Sequence, residues 1–155
     1  MTLTSINVPQ ADDIDRVIAL VKCLYNNGNV NHFALSVVKR QVDYYFNAAR
    51  ILGLVDRYSQ LTRDGLAVAT SNNPYPIIAD RFKHSDVYQE WLNWSMNNGF
   101  VDVQAGTAEH FLSDCFRNTV LPKHQTLTDN ASNTGTIPRR AKTLDDWISR
   151  LQPFM

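Results

Sequence analysis

In the stretch QVDYYFNAARILGLV, residues 41–55, the apolar positions Val42, Tyr45, Phe46, Ala49 and Leu52 recur at helical spacing. That period predicts a helix over about residues 39–52 with one stripe facing a core. On the opposite side, positions i, i+4 and i+7 bring Arg40, Tyr44 and Asn47 into line, with Lys39, Asp43 and Arg50 at the edges. Gly53 stops the helix. Residues 54–56 then predict a short strand and residues 57–60 a polar turn, before Leu61 and Thr62 open another helix. A helix followed by a small hairpin is the core of a winged helix.

Upstream, Ile14, Val17, Ile18, Val21 and Leu24 form the apolar face of a first helix over residues 11–25. Its first turn holds Asp12, Asp13 and Asp15, where carboxylates complement the helix dipole. It ends at Asn26-Asn27-Gly28. Val30 and Asn31 supply a short strand or a cap, and residues 32–36 predict a short second helix with Phe33 turned inward. Helix, short helix, turn, long helix and hairpin is the order of a winged helix-turn-helix, whose third helix usually enters the major groove.

Downstream, a helix from Thr62 offers Leu66, Val68 and Ala69 for packing, and the turn-rich SNNPYP at 71–76 marks a boundary. Beyond it the pattern predicts helices over residues 77–83, 87–97 and 108–118, the second capped by Ser85 or Asp86 and the third by Thr107. Trp91 and Trp94, three apart on an apolar face, read as core or an interdomain seam rather than a stacking platform. Residues 122–135 are polar and read as a loop or a degenerate wing. A last helix over 136–151 accepts Pro138 in its first turn. In it Ile137, Ala141, Leu144, Ile148 and Leu151 face inward. Arg139, Lys142, Thr143 and Asp146 face outward, with Arg140 at the edge, an arrangement that resembles a second recognition helix. The expected architecture is mostly α, with tandem winged-helix or helix-turn-helix units over 1–71 and 76–155 and a small β-hairpin wing.

Charge changes this picture only when it is divided. Fifteen basic and fifteen acidic residues cancel over the 155-residue chain, whereas DNA-binding domains are often strongly basic. Residues 39–63, however, carry five basic and two acidic groups, and 121–155 carry five and three. Each positive segment is centred on a candidate recognition helix. Arg pairs bidentately with guanine and Asn with adenine, while Tyr holds a phosphate, so Arg40, Tyr44 and Asn47 have the chemistry of base and backbone readers. The polar face of a helix is equally what solvent demands, and Asn47 can instead hold the helix against a neighbouring loop.

The segment DYYFNAARILGLV followed by YSQLTRDG resembles the winged-helix domain that accompanies many bacterial restriction endonucleases and DNA-modification proteins. The match is carried by Gln41, Asp43, Tyr44, Tyr45, Asn47, Ala48, Ala49, Arg50, Leu52, Gly53 and Leu54, then Leu61, Thr62 and Gly65. Phe46 departs from the small residue common there. TIPRRAKTLDDWISRL is similar to the end of the same family through Arg139, Arg140, Ala141, Thr143 and Trp147. The resemblance implies DNA binding in a restriction or defence setting, with Tyr45, Ala49, Leu52 and Gly53 as architecture.

Catalytic signatures are lacking. The sequence has no Gly-rich phosphate loop, no HExxH, no GxSxG and no Asp/Glu-x-Lys triplet of a metal-dependent nuclease. His32, His84, His110 and His124 are scattered, and Cys23 and Cys115 form no metal or disulfide pattern. Neither a membrane span nor a signal peptide is legible, so a cytoplasmic chain is expected. The expectation is a non-catalytic binder of double-stranded DNA with no cofactor and no metal. It would recognise sequence as the DNA-reading part of a restriction endonuclease or restriction-modification component, and a homodimer is compatible with this. The DNA-binding candidates are Lys39, Arg40, Gln41, Tyr44, Asn47, Arg57, Tyr58, Arg139, Arg140, Lys142 and Thr143. The alternative is a module whose exposed faces dock a nuclease or methyltransferase subunit.

Overall fold

A computed structural model describes residues 3–117 and 136–155. Among these residues the chain forms eight α-helices and no sheet, so it is mostly α. The predicted loop or wing at 122–135 lies outside the described residues. Helix α1, Ile14–Asn27, starts on Asp13, whose carboxylate accepts from the Asp15 and Arg16 amides, and stops at Gly28 in the left-handed region. Asn31 caps α2, His32–Leu35, and α3 follows at Gln41–Ile51. Inward packing of α2 comes from Leu35, not Phe33, which is 79% exposed. Four residues make a single turn, and only one of its side chains can face the core.

The corner after α3 accounts for Gly53, Leu54, Leu61, Thr62 and Gly65. The Leu54 amide donates to Ala49 O at 2.8 Å and the Gly53 amide to Arg50 O at 2.9 Å, the paired bonds of a Schellman ending, with Gly53 at φ 71°. Val55 and Leu61 then form one antiparallel bridge. Pairing goes no further because the Asp56 carboxylate accepts from the Tyr58 and Gln60 amides and closes a tight turn. The predicted strand at 54–56 and its hairpin are thus reduced to a single bridged pair. Thr62 caps α4, Arg63–Thr70, by accepting from the Gly65 amide, and its hydroxyl donates to Gly53 O at 2.5 Å. A Cβ on Gly65 would run into the Leu54 carbonyl oxygen, which is why glycine stands there.

The boundary predicted at 71–76 falls between α4 and α5, Tyr75–Lys83. Helices α6, Asp86–Asn97, α7, Ala108–Arg117, and α8, Thr136–Leu151, complete the order. Ser85 caps α6. Thr107 precedes α7, yet its hydroxyl donates to Gln104 O and accepts from Trp91 Nε1, while Asp145 of α8 takes the Gly106 amide. Buried residues from both sides of the boundary belong to one cluster. Phe82 sits inside it, edge-on to Tyr88 and to Trp147. Trp91 is fully buried, and Trp94 is half-buried with its indole donating to Asp114.

Candidate nucleic-acid interface

The predicted inward stripe of α3 holds at Tyr45, Ala49 and Leu52, which are buried, whereas Val42 and Phe46 are half-buried and Ala48, outside the predicted stripe, is buried instead. Burial raises the Tyr45 phenol above its ordinary pKa, partly offset by its bond with Arg16, so this tyrosine is architecture. Tyr44 and Asn47 are half-buried and are not a free outward row. Asn47 Nδ2 donates to Ile6 O at 3.3 Å, so a short 3₁₀ turn at Ser5–Asn7 lies against this part of the helix. The exposed residues are Lys39 and Arg40 ahead of the helix and Asp43 and Arg50 along it. The open face is therefore turned toward Asp43 and Arg50, and the signal missed in the sequence was the N-terminal segment that covers the other side. Gln41 is half-buried and its side chain accepts from the Val38 amide, bracing the α2–α3 turn.

Arg50 joins this face to the bridged turn. Its guanidinium donates to Asp56 O at 3.3 Å and to Ser59 Oγ at 2.6 Å, and it lies 5.9 Å from the centre of the Phe46 ring. Phe46 is half-buried and offers its ring to this guanidinium. At the tip of the turn Arg57 and Tyr58 are exposed, with the guanidinium 4.9 Å from the Tyr58 ring centre. Beside the α2–α3 turn is an open cleft of about 590 Å³ bordered by Val30, His32, Lys39, Arg40, Val42 and Asp43.

The second basic segment is built differently. Arg140 is 9% exposed and donates to Ser5 O at 2.5 Å and Val8 O at 3.1 Å. Burial, reinforced by the neighbouring charge of Arg139, lowers its pKa to about 10, against a smaller opposing pull from Tyr44. Thr143 is buried, not outward, and bonds back to Arg139 O. The reason is that α8 is covered on two sides, by α7 and by the N-terminal segment. Trp147 Nε1 donates to Ala11 O along the same seam. Arg139 is exposed and bound to Gln10, and Lys142 is exposed and paired with Asp146 at 2.7 Å, with Asp12 at 4.0 Å.

Residues 16–152 match a family described as Domain of unknown function (DUF7226). The chain belongs to that family. No curated protein and no solved structure matches it. The DUF7226 match spans α1 to α8 and so includes both basic segments.

Among the described residues no group of three or more His, Cys, Asp or Glu is placed to hold a metal ion. Cys115 has its thiol pushed up to about 11 by burial and by the charge of Glu90, which favours the protonated form at neutral pH. Among the described residues no helix is long and apolar enough to cross a membrane.

Proposed function

We propose that this DUF7226 chain is a non-catalytic module that binds double-stranded DNA in the manner of a winged helix, in a restriction or modification setting. The observation that carries the reading is the run of exposed cations, Lys39 and Arg40 at the start of α3 and Arg57 with Tyr58 on the turn, held to one scaffold by Arg50. The helix order α1, α2, α3, turn and α4 supports it, with the bridged turn serving as a much shortened wing. In this reading Lys39, Arg40, Arg57 and Tyr58 contact DNA, while Gln41, Asn47, Arg140 and Thr143 keep the scaffold in shape. The restriction setting rests on the motif resemblance.

A second reading has its own observation. Phe33 and Val38, 79% and 57% exposed, flank the α2–α3 turn, and large apolar side chains beside a polar rim suit a protein partner such as a nuclease or methyltransferase subunit.

Retention on a randomised duplex library, followed by sequencing of the bound fraction, tests the first reading. A motif that is enriched by the wild type and relaxed by a Lys39→Ala, Arg40→Ala variant, with steep salt dependence, is the expected result. If no duplex is retained even at low salt, the DNA reading fails, and a salt-insensitive complex with a protein subunit supports the second.

A further inference from the structure

The cleft beside the α2–α3 turn has a composition that DNA backbone contact does not require. A surface that only neutralises phosphates needs cations and nothing else. Here Lys39 and Arg40 share a recess of about 590 Å³ with two valines, an imidazole, a carboxylate and Asn31, whose side-chain oxygen is taken up by the Ala34 amide. That volume lies within the roughly 300–1,000 Å³ of small-molecule sites, which combine apolar walls with a few polar groups. Val30 and Val42 are half-buried and offer an apolar surface, while His32 contributes an aromatic ring packed 4.0 Å, centre to centre, from Phe33. Asp43 is exposed on α3.

We propose that this cleft holds a single guanine nucleotide, its base against Val30, Val42 and the His32 ring and its phosphate on Lys39 and Arg40. The choice of base follows from Asp43. An ionised carboxylate only accepts hydrogen bonds. Guanine presents two adjacent donors, the N1 hydrogen and the 2-amino group, and so meets both carboxylate oxygens at once. Adenine and cytosine present an amino group beside an unprotonated ring nitrogen, whose lone pair would face the carboxylate. Uracil and thymine offer one N–H flanked by two carbonyl oxygens, which the carboxylate repels. Phosphate on the two cations and base on the carboxylate also gives the nucleotide one orientation. The same chemistry arises from a free nucleotide and from a guanine swung out of a strand, and the experiment separates the two sources.

The full chain is titrated with GMP, AMP, CMP, UMP, guanosine and inorganic phosphate, following amide shifts by NMR. The expected result is binding of GMP with shifts centred on residues 30–43 and a preference over AMP of about tenfold, the scale of one bidentate pair. Asp43→Asn, a surface change, should bring that preference close to unity, and Arg40→Ala should bring GMP down toward guanosine. A duplex with one bulged guanine is compared with its fully paired parent. Tighter binding of the bulged form that depends on Asp43 assigns the strand as the source, and GMP binding with no such difference assigns the free nucleotide. The proposal is overturned if neither GMP nor the bulged guanine binds preferentially, or if Asp43→Asn leaves a preference unchanged. Retention of the paired duplex is scored separately, so loss of the DNA reading and loss of this proposal are distinct results.

Discussion

The two basic segments of this chain each carry five basic residues and use their cations in opposite ways. In residues 39–63, Lys39 and Arg40 are exposed ahead of α3 and Arg57 is exposed on the bridged turn that follows it. In the C-terminal helix, Arg140 is buried under the N-terminal segment and Arg139 and Lys142 are engaged with Gln10, Asp12 and Asp146. A basic cluster on a helix is therefore not yet a binding face. What decides is whether carbonyls or carboxylates elsewhere in the chain come to meet it, and here the segment at residues 3–15 meets the cations Arg139, Arg140 and Lys142 of the second cluster, whereas its described bond to the outward side of α3 is to Asn47, not to a cation.

The largest expected effect attacks the corner that holds the first segment. Gly65→Ala forces a Cβ against the Leu54 carbonyl oxygen, a backbone atom that cannot swing aside. Stability should fall by about 3 kcal/mol, the upper range for overpacking, as read from urea unfolding. A loss near zero would show that the α4 start can slide off the turn and that the corner is not rigid.

Next in size is the buried clasp. Arg140→Met keeps most of the side-chain volume yet removes the donor to Ser5 O and Val8 O, and should cost about 2 kcal/mol, the scale of hydrogen bonds made by a charged group. Hydrogen exchange at residues 3–10 should rise with it. If unfolding and exchange are both unchanged, the second cluster is not architecture and the contrast between the segments collapses. Asn47→Ala sits between the two cases. Loss of its bond to Ile6 O should cost about 1 kcal/mol and leave duplex retention unaltered. A large loss of DNA affinity without a stability change would return Asn47 to the role its sequence position suggested.

Much of the helical frame was legible in the sequence because it follows from local rules. The apolar period gave α1, α3 and α8, Gly53 and Gly28 gave helix ends, and Ser85 and Thr62 gave starts. The orientation of polar faces was not legible. Helical periodicity places Thr143 opposite Ile148 and Ala141, but cannot show that a second surface, the N-terminal segment, covers that side as well. Phe33 failed for the converse reason, since an aromatic residue in a one-turn helix has no second turn to fix its direction. The turn expected at 57–60 is present, but Asp56, expected in a strand, belongs to it, and its carboxylate replaces ladder bonds with side-chain bonds.

The smallest effect on the fold should come from the residues that matter most to the proposed interface. Lys39, Arg40 and Arg57 are exposed, and no described hydrogen bond or ion pair uses their side chains, so a triple alanine variant should keep the wild-type unfolding midpoint and circular dichroism spectrum. Its duplex affinity should nevertheless drop, and the slope of log affinity against log salt should shrink by about one for each phosphate contact removed. The matching change in the other segment, Arg139→Ala with Lys142→Ala, should leave that slope almost unchanged, because those cations already have partners within the chain. Equal loss of slope in both variants would mean that the C-terminal pairs open to meet DNA, and the distinction between a displayed and an engaged cluster would then hold for the free protein alone.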